Sequence, residues 1–201
     1  MTALLNGDGL DHPDSFVDHL FAWMESKGQS RYDEAVSQCE HALQAAWQAR
    51  ESGACAALVI AALFHDIGHL LVDEHKGQGD FLSQDLCHER VGANWLATLF
   101  PAAVSEPVRL HVPAKRWLCA GEAGYVKRLS LASQRSLQIQ GGPMSPAEKA
   151  AFEKEPHWKE AVQLRLWDDE AKVTGRQVPG FDDYLAPCAT LISRMPSRTA
   201  L

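Results

Sequence analysis

Residues 54–71 read ACAALVIAALFHDIGHLL, apolar almost all round until His65-Asp66 sets an imidazole and a carboxylate side by side. A helix without a polar stripe belongs at the centre of a bundle. Burying both polar groups there without a partner is costly, and a metal ion is the usual partner. On one continuous helix the two side chains diverge by roughly 100°. They serve a common cluster if His65 takes one ion and Asp66 bridges two. His69 stands one turn along on the same face, close by without having to ligate.

Working outward, Gly53 separates this segment from a helix expected over Asp33 to Glu51, opened by Ser30 with Asp33 three residues later. Residues 14–26 are amphipathic and stop at Gly28. Residues 72–83, glycine-containing and of mixed charge, read as a loop. Ser83 starts a helix that Pro101 ends, and shorter helices are expected over 102–111, 113–119 and 122–138. Gly141-Gly142-Pro143 is a turn. Ser145-Pro146-Ala147-Glu148 is a helix start with proline at the first position, and a further helix runs from about Pro156 to Lys172. The tail after Pro187 reads as frayed or lightly docked. Nothing alternates with the period of a strand. The expectation is an all-α chain of one domain over 1–201, with a core at about 30–184, an N-terminal helix within 1–29 and a tail at 187–201.

At 201 residues and 46% hydrophobic, the chain can bury a sizeable core. Its formal net charge of −7 offers nothing to nucleic acid or an anionic membrane. Its longest apolar run, Ala54 to Phe64, is far shorter than the ~18 residues of a membrane span. Five cysteines (39, 55, 87, 119 and 188) are odd in number and never paired as C-x-x-C. With no secretory leader visible, they point to reduced thiols in the cytoplasm.

Six of the nine histidines lie between positions 41 and 111. His41 sits on the preceding helix, His88 near the start of the next long one and His111 at the end of a short one. Helices that surround a central His-Asp helix and supply imidazoles are how bundles build metal sites. A lone helical histidine is more often a hydrogen-bonded core residue; His-Asp in apolar surroundings reverses those odds. Together with Asp168, the order is His41, His65-Asp66, His88, His111, Asp168. Six ligands are too many for one catalytic ion with open positions and suit two ions sharing a carboxylate. His75, in the polar loop, is a poor candidate, and His12, His19 and His157 read as surface residues.

The order H…HD…H…H…D resembles the HD-domain superfamily of helical bundles, most of whose members are metal-dependent phosphohydrolases. A closer resemblance is carried by Cys39-Glu40-His41-Ala42-Leu43-Gln44, AALFHDIGH (61–69), HERVGANWL (88–96), HVPAKRWL (111–118), QGGPM (140–144) and RLWD (165–168). These stretches look like the phosphonate-cleaving mixed-valence diiron oxygenases of the PhnZ type, over about residues 30–184. Myo-inositol oxygenase is a more distant likeness.

The resemblance implies that His41, His65 and Asp168 bind one iron, that His88 and His111 bind the other, and that Asp66 bridges an Fe(II)/Fe(III) pair. It also raises Asp168, otherwise an unremarked helical carboxylate, to a ligand. It implies a phosphonate pocket of His69, Lys115, Ser133 and Arg165, with Asp66, His69 and Lys115 acting in catalysis. Helical spacing supports the cations: Lys115 lies one turn past His111, and Arg165 three residues before Asp168. Glu34 aligns with a carboxylate that holds a substrate amine. Arg31 stands where the family has a tyrosine, with Tyr32 next to it, so Arg31, Tyr32 and Glu34 become the candidate amine-facing residues. An aromatic face with carboxylates would also suit a methylated ammonium.

The implied reaction uses O₂ to cleave the C–P bond of a 1-hydroxy-2-(amino or trimethylammonio)ethylphosphonate. Its products are phosphate and glycine or glycine betaine, and the enzyme works downstream of a phosphonate hydroxylase. Histidine-rich ligation suits redox iron better than Mg²⁺. The rival is an HD-type phosphohydrolase acting on a nucleotide or phosphate ester without O₂. A non-catalytic ligand-binding protein would keep the fold and lose a ligand, and no expected ligand is missing.

Overall fold

The computed structural model describes residues 12–29, 36–72 and 87–193. Among them the chain forms α1 (Pro13–Lys27), α2 (Gln38–Glu51), α3 (Ala56–Phe64), α4 (Ile67–Leu71), α5 (His88–Leu96) and α6 (Ala102–Gly121). These are followed by α7 (Tyr125–Arg128), α8 (Leu131–Ile139), α9 (Pro146–Phe152), α10 (Trp158–Glu170) and α11 (Asp182–Leu191). No strand occurs among the described residues, so the fold is all-α. None of these helices is long and apolar enough to cross a membrane.

The apolar segment takes the centre. Every residue from Leu58 to Phe64 is buried, and α2, α6, α10 and α11 pack around α3. α1 lies against α11, with Phe16, Val17, Leu20, Phe21 and Met24 turned inward, and the Phe21 ring meets those of Phe64 and Phe181. On the other side α5 lies between α4 and α6, and α10 runs along both α6 and α2.

Several boundaries differ from those expected. Residues 54–71 are not one helix: α3 stops at Phe64, and Asp66 takes φ −104°, ψ 12° before α4 begins. The polar pair therefore occupies a bend, and its side chains are not held to the angular spacing of a helix. α2 is capped by Ser37, whose side chain accepts from Glu40 N while Glu40 returns the bond, a capping box seven residues beyond the expected Ser30. The Ser30–Asp33 pair lies outside the described residues. α5 begins at His88 because Cys87 is left-handed at φ 49°, so no helix from Ser83 runs through it.

α6 is a single helix despite Pro107 and Pro113, where separate helices over 102–111 and 113–119 were expected. An interior proline removes a backbone bond and costs about 3 kcal/mol in an unsupported helix. Here α3, α5 and α10 bury Val104, Val108, Leu110, Val112, Ala114 and Leu118, which offsets that cost. The expected helix over 122–138 is divided by extended backbone at Leu129 and Ser130, where Ser130 Oγ caps α8. α10 starts after left-handed His157, later than expected, and ends at Glu170. Residues 188–193 are docked: Cys188 is fully buried in α11, and Ser193 N donates to Leu99 O at 2.8 Å. Residues 194–201 are outside the described set.

Candidate functional site

The bend at His65-Asp66 aims both side chains into one space lined by α2, α5, α6 and α10. Asp66 Oδ2 lies 3.4 Å from His65 Nε2 and 3.6 Å from His41 Nε2. Its other oxygen, Oδ1, lies 3.3 Å from His88 Nε2, 3.6 Å from His111 Nε2 and 3.9 Å from His69 Nε2. Asp168 Oδ1 joins the first group, 3.3 Å from His41 Nε2 and 3.9 Å from His65 Nε2. Within each group the imidazoles nearly touch, His41 Nε2 to His65 Nε2 at 3.0 Å and His88 Nε2 to His111 Nε2 at 3.2 Å. The His69 ring stacks on His88 with centroids 3.9 Å apart.

Backbone carbonyls set the tautomers. His41 Nδ1 lies 2.9 Å from Ala171 O, His65 Nδ1 2.8 Å from Ala62 O and His111 Nδ1 2.7 Å from Val108 O. A carbonyl only accepts, so each Nδ1 carries the hydrogen and each Nε2 presents a lone pair to the centre. Those lone pairs face one another and face carboxylate oxygens. Among the described residues neither oxygen of Asp66, nor Oδ1 of Asp168, accepts a hydrogen bond although all three are buried. Donors that share one first-row metal ion at about 2.1 Å stand roughly 3.0–3.4 Å apart. The donor set around Asp66 fits metal binding.

Charge agrees with that fit. Burial alone would lower the His65 pKa, but the adjacent Asp66 raises it to about 9, so in metal-free protein a proton occupies cation territory. Burial works the other way on Asp66, yet His65 and the neighbouring imidazoles hold it well below the usual carboxylate range. Burial, reinforced by His88, pushes His111 well below its ordinary value, which keeps it neutral and able to ligate.

A cationic recess adjoins this centre. Arg165 Nη1 donates to Asp168 Oδ2 at 2.6 Å and so turns Oδ1 toward His41; Arg165 Nη2 binds Asp169, whose second oxygen takes the Tyr125 hydroxyl. Arg165 Nη2 also reaches Ser133 Oγ at 3.4 Å. Lys115 Nζ donates to Ser136 Oγ at 2.8 Å. Burial first, then the Arg165 charge, lowers the Lys115 pKa from 10.5 to about 7. A buried cationic cluster of this kind suits an oxyanion.

His41, His65, Asp66, His69, His88, His111 and Asp168 are thus brought together, with Lys115, Ser133 and Arg165 beside them. Arg31, Tyr32 and Glu34 lie outside the described residues, as does His75. His12 and His19 are exposed on α1, and His157 is half-buried before α10. Ser136, Tyr125, Asp169 and Lys172 are additions from the structure. Lys172, four residues after Asp168, is the only one of these that helical spacing from a candidate ligand could have suggested.

No protein-family model matches the chain. Individual proteins do. The hydroxymethylphosphonate dioxygenase of Gimesia maris is 54% identical over 172 residues, 86% of each chain. The [1-hydroxy-2-(trimethylamino)ethyl]phosphonate dioxygenase (glycine-betaine-forming) of Leisingera caerulea is 36% identical over 182 residues, 90% of each chain. An uncharacterized protein of Acanthamoeba polyphaga mimivirus is 32% identical over 170 residues, 84% of this chain and 78% of that one. Two dioxygenases that are alike in the class of compound their names record match this chain over most of its length, and the chain belongs to the phosphonate dioxygenase family.

Proposed function

We propose that the chain is a diiron dioxygenase that cleaves the C–P bond of a short 1-hydroxyalkylphosphonate, built as a single HD-type domain over residues 1–201. The observation that carries this reading is Asp66, which offers one oxygen to each of two groups of imidazole nitrogens. His41, His65 and Asp168 would hold one iron and His88 and His111 the other, with Asp66 a ligand to both. Iron bound there would supply dioxygen activation and Lewis-acid grip on the substrate's oxygens.

The protein's own part is to bind and orient. Lys115, Arg165, Ser133 and His69 receive the phosphonate, with Arg165 held by Asp168 and Asp169 and not free to swing. Asp168 is kept to a single available oxygen by Arg165. Hydroxymethylphosphonate and O₂ contain the atoms of formic acid and phosphoric acid with none left over, so no outside reductant is needed. The identity to the Gimesia protein favours the one-carbon substrate. The 2-amino and 2-trimethylammonio ethyl analogues, which would give glycine and glycine betaine, are the other members of the class, and Arg31, Tyr32 and Glu34 are proposed to choose among them. An enzyme that hydroxylates an alkylphosphonate would supply such a substrate. All five cysteines are free, which suits a reducing compartment such as the cytoplasm.

The test is phosphate release from each of the three hydroxyphosphonates by protein loaded with iron under anaerobic conditions, with and without O₂. Release that requires O₂ is expected. Release that ignores O₂ would return the chain to the phosphohydrolases, a reading the named relatives disfavour.

Lys115 adds a pH signature. Its folded pKa of about 7 lies below the ordinary 10.5, so above about 7 the native side chain loses its charge. An anion that needs this charge must draw a proton in as it binds, about one per site well above that pKa. Calorimetry of substrate binding in buffers of different ionisation heat should show this uptake in wild-type protein and not in Lys115→Met. Equal proton counts for the two proteins would remove Lys115 from the phosphonate contacts.

A further inference from the structure

Lys172 lies outside the residues so far assigned to the pocket, yet its backbone is held from two sides. The preceding carbonyl, Ala171 O, accepts from His41 Nδ1 at 2.9 Å. On the following residue, Val173 N donates to Gln44 Oε1 at 3.1 Å and Val173 O accepts from Gln44 Nε2 at 2.9 Å. Both partners stand on α2, and His41 is itself in the metal centre. The position of Lys172 is therefore tied to that centre, and its side chain, 12% exposed, runs inward instead of into solvent.

Its ammonium sits between two kinds of oxygen. Nζ is 3.5 Å from Asp168 Oδ1 and 3.3 Å from Ser133 Oγ. Asp168 Oδ1 is the oxygen turned toward His41, the one a cation would take. Once a cation holds it, the carboxylate attracts Lys172 less and the cation repels it. Ser133 Oγ already accepts from both Arg165 and Lys172. Two N–H groups occupy its acceptor side, so its own hydrogen points to a third partner, and no acceptor for it is found among the described residues. Lys115, Lys172, Arg165 and the Ser133 hydroxyl thus cluster beside the candidate irons, where Asp168 and Asp169 both pair with Arg165.

Building on the phosphonate-oxygenase reading, the geometry points to Lys172 as a further substrate-binding residue, which grips the phosphonate together with Ser133 and Arg165 once metal has taken Asp168 Oδ1. The bland alternative is a counter-ion that merely steadies Asp168. The two part company over iron: a counter-ion's loss disturbs metal content, whereas a substrate contact's loss leaves it alone.

The experiment uses iron-loaded full-length protein, wild type, Lys172→Met and Lys172→Arg. Iron per chain is measured by elemental analysis, and anaerobic binding of hydroxymethylphosphonate by calorimetry. KM and kcat are then measured for phosphate release in the presence of O₂. For Lys172→Met we expect unchanged iron, binding weaker by ~10-fold or more, and KM raised to match with kcat moved less. Lys172→Arg should recover most of the binding. Wild-type affinity in Lys172→Met overturns the inference, as does iron loss in that variant that Lys172→Arg repairs. Wild-type protein that fails to bind the phosphonate overturns it too. Wild-type protein that binds in a Lys172-dependent way yet releases no phosphate would uphold Lys172 as an anion contact and bring down the proposed reaction instead.

Discussion

On the proposed diiron reading, Asp66→Asn is expected to strip the protein of most of its iron and to lower turnover by at least ~10³-fold, while the helical content stays as in wild type. The substitution is isosteric, so the loss comes from chemistry and not from packing. In wild type, Oδ2 faces His41 and His65 while Oδ1 faces His88, His111 and His69. An amide replaces one of those oxygens by an NH₂ group, which cannot ligate, and it removes the negative charge shared by both halves. Asp168 is then the one carboxylate left among the candidate ligands, and it serves only the His41–His65 side. Elemental analysis and phosphate release check the prediction. An Asn variant with two irons and wild-type rate would exclude a bridging role.

The same substitution should alter the metal-free protein. His65 is raised above its ordinary 6.5 to about 9, so its contribution to stability is complete below 6.5 and is lost as pH climbs through about 9. Since Asp66 is what raises it against burial, that slope should largely vanish in Asp66→Asn. Denaturant unfolding of metal-free protein across this interval reads the slope directly. An unchanged slope would detach the titration from Asp66.

The centre was legible in the sequence because its chemistry clashes with its surroundings. His65-Asp66 on an apolar helix demands a partner, and His41, His88 and His111 recur at helical positions around it. The bend was not legible. Nothing between Leu63 and Ile67 is a helix breaker, and the backbone leaves helical values at Asp66, where its carboxylate meets imidazoles from three other helices. α6 misled in the opposite direction: Pro107 and Pro113 are locally strong stop signals, overridden by burial on three sides. Ser37-x-x-Glu40 is a complete capping box in the sequence, whereas Ser30–Asp33 has the same spacing with a shorter carboxylate. Lys172 stayed hidden for a different reason. A lysine after a helix ordinarily complements the helix C-terminus, and only the ties from His41 to Ala171 and from Gln44 to Val173 show that this one is turned inward.

Gly68→Ala should cost the enzyme the iron proposed for the His88–His111 side and at least ~10²-fold in turnover, because displacements near 1 Å at a reacting centre carry penalties of that order. A Cβ built at Gly68 would meet His88 O at 1.9 Å, His88 C at 2.7 Å and His88 Cα at 3.0 Å. All three are backbone atoms, so no side-chain rotation can relieve the clash. The first contact falls short of ordinary van der Waals separation by roughly 1.5 Å, and overpacking of this kind costs about 1–3 kcal/mol even where the structure yields. What must yield is the first turn of α5, which carries His88. Moving that turn separates His88 Nε2 from His111 at 3.2 Å and from Asp66 Oδ1 at 3.3 Å. The His41–His65–Asp168 side does not rest on α5, so iron per chain should fall toward one ion instead of none. Gly92 faces the same crossing, but its Cβ would meet Gly68 N at 3.1 Å and Ile67 Cγ2 at 3.3 Å, contacts a small adjustment relieves. Gly92→Ala should therefore retain more iron and more activity than Gly68→Ala. Gly180→Ala, with nothing within 4 Å, should match wild type. If Gly68→Ala kept full iron and full rate, the close approach of α4 to α5 would not be what sets His88 against Asp66.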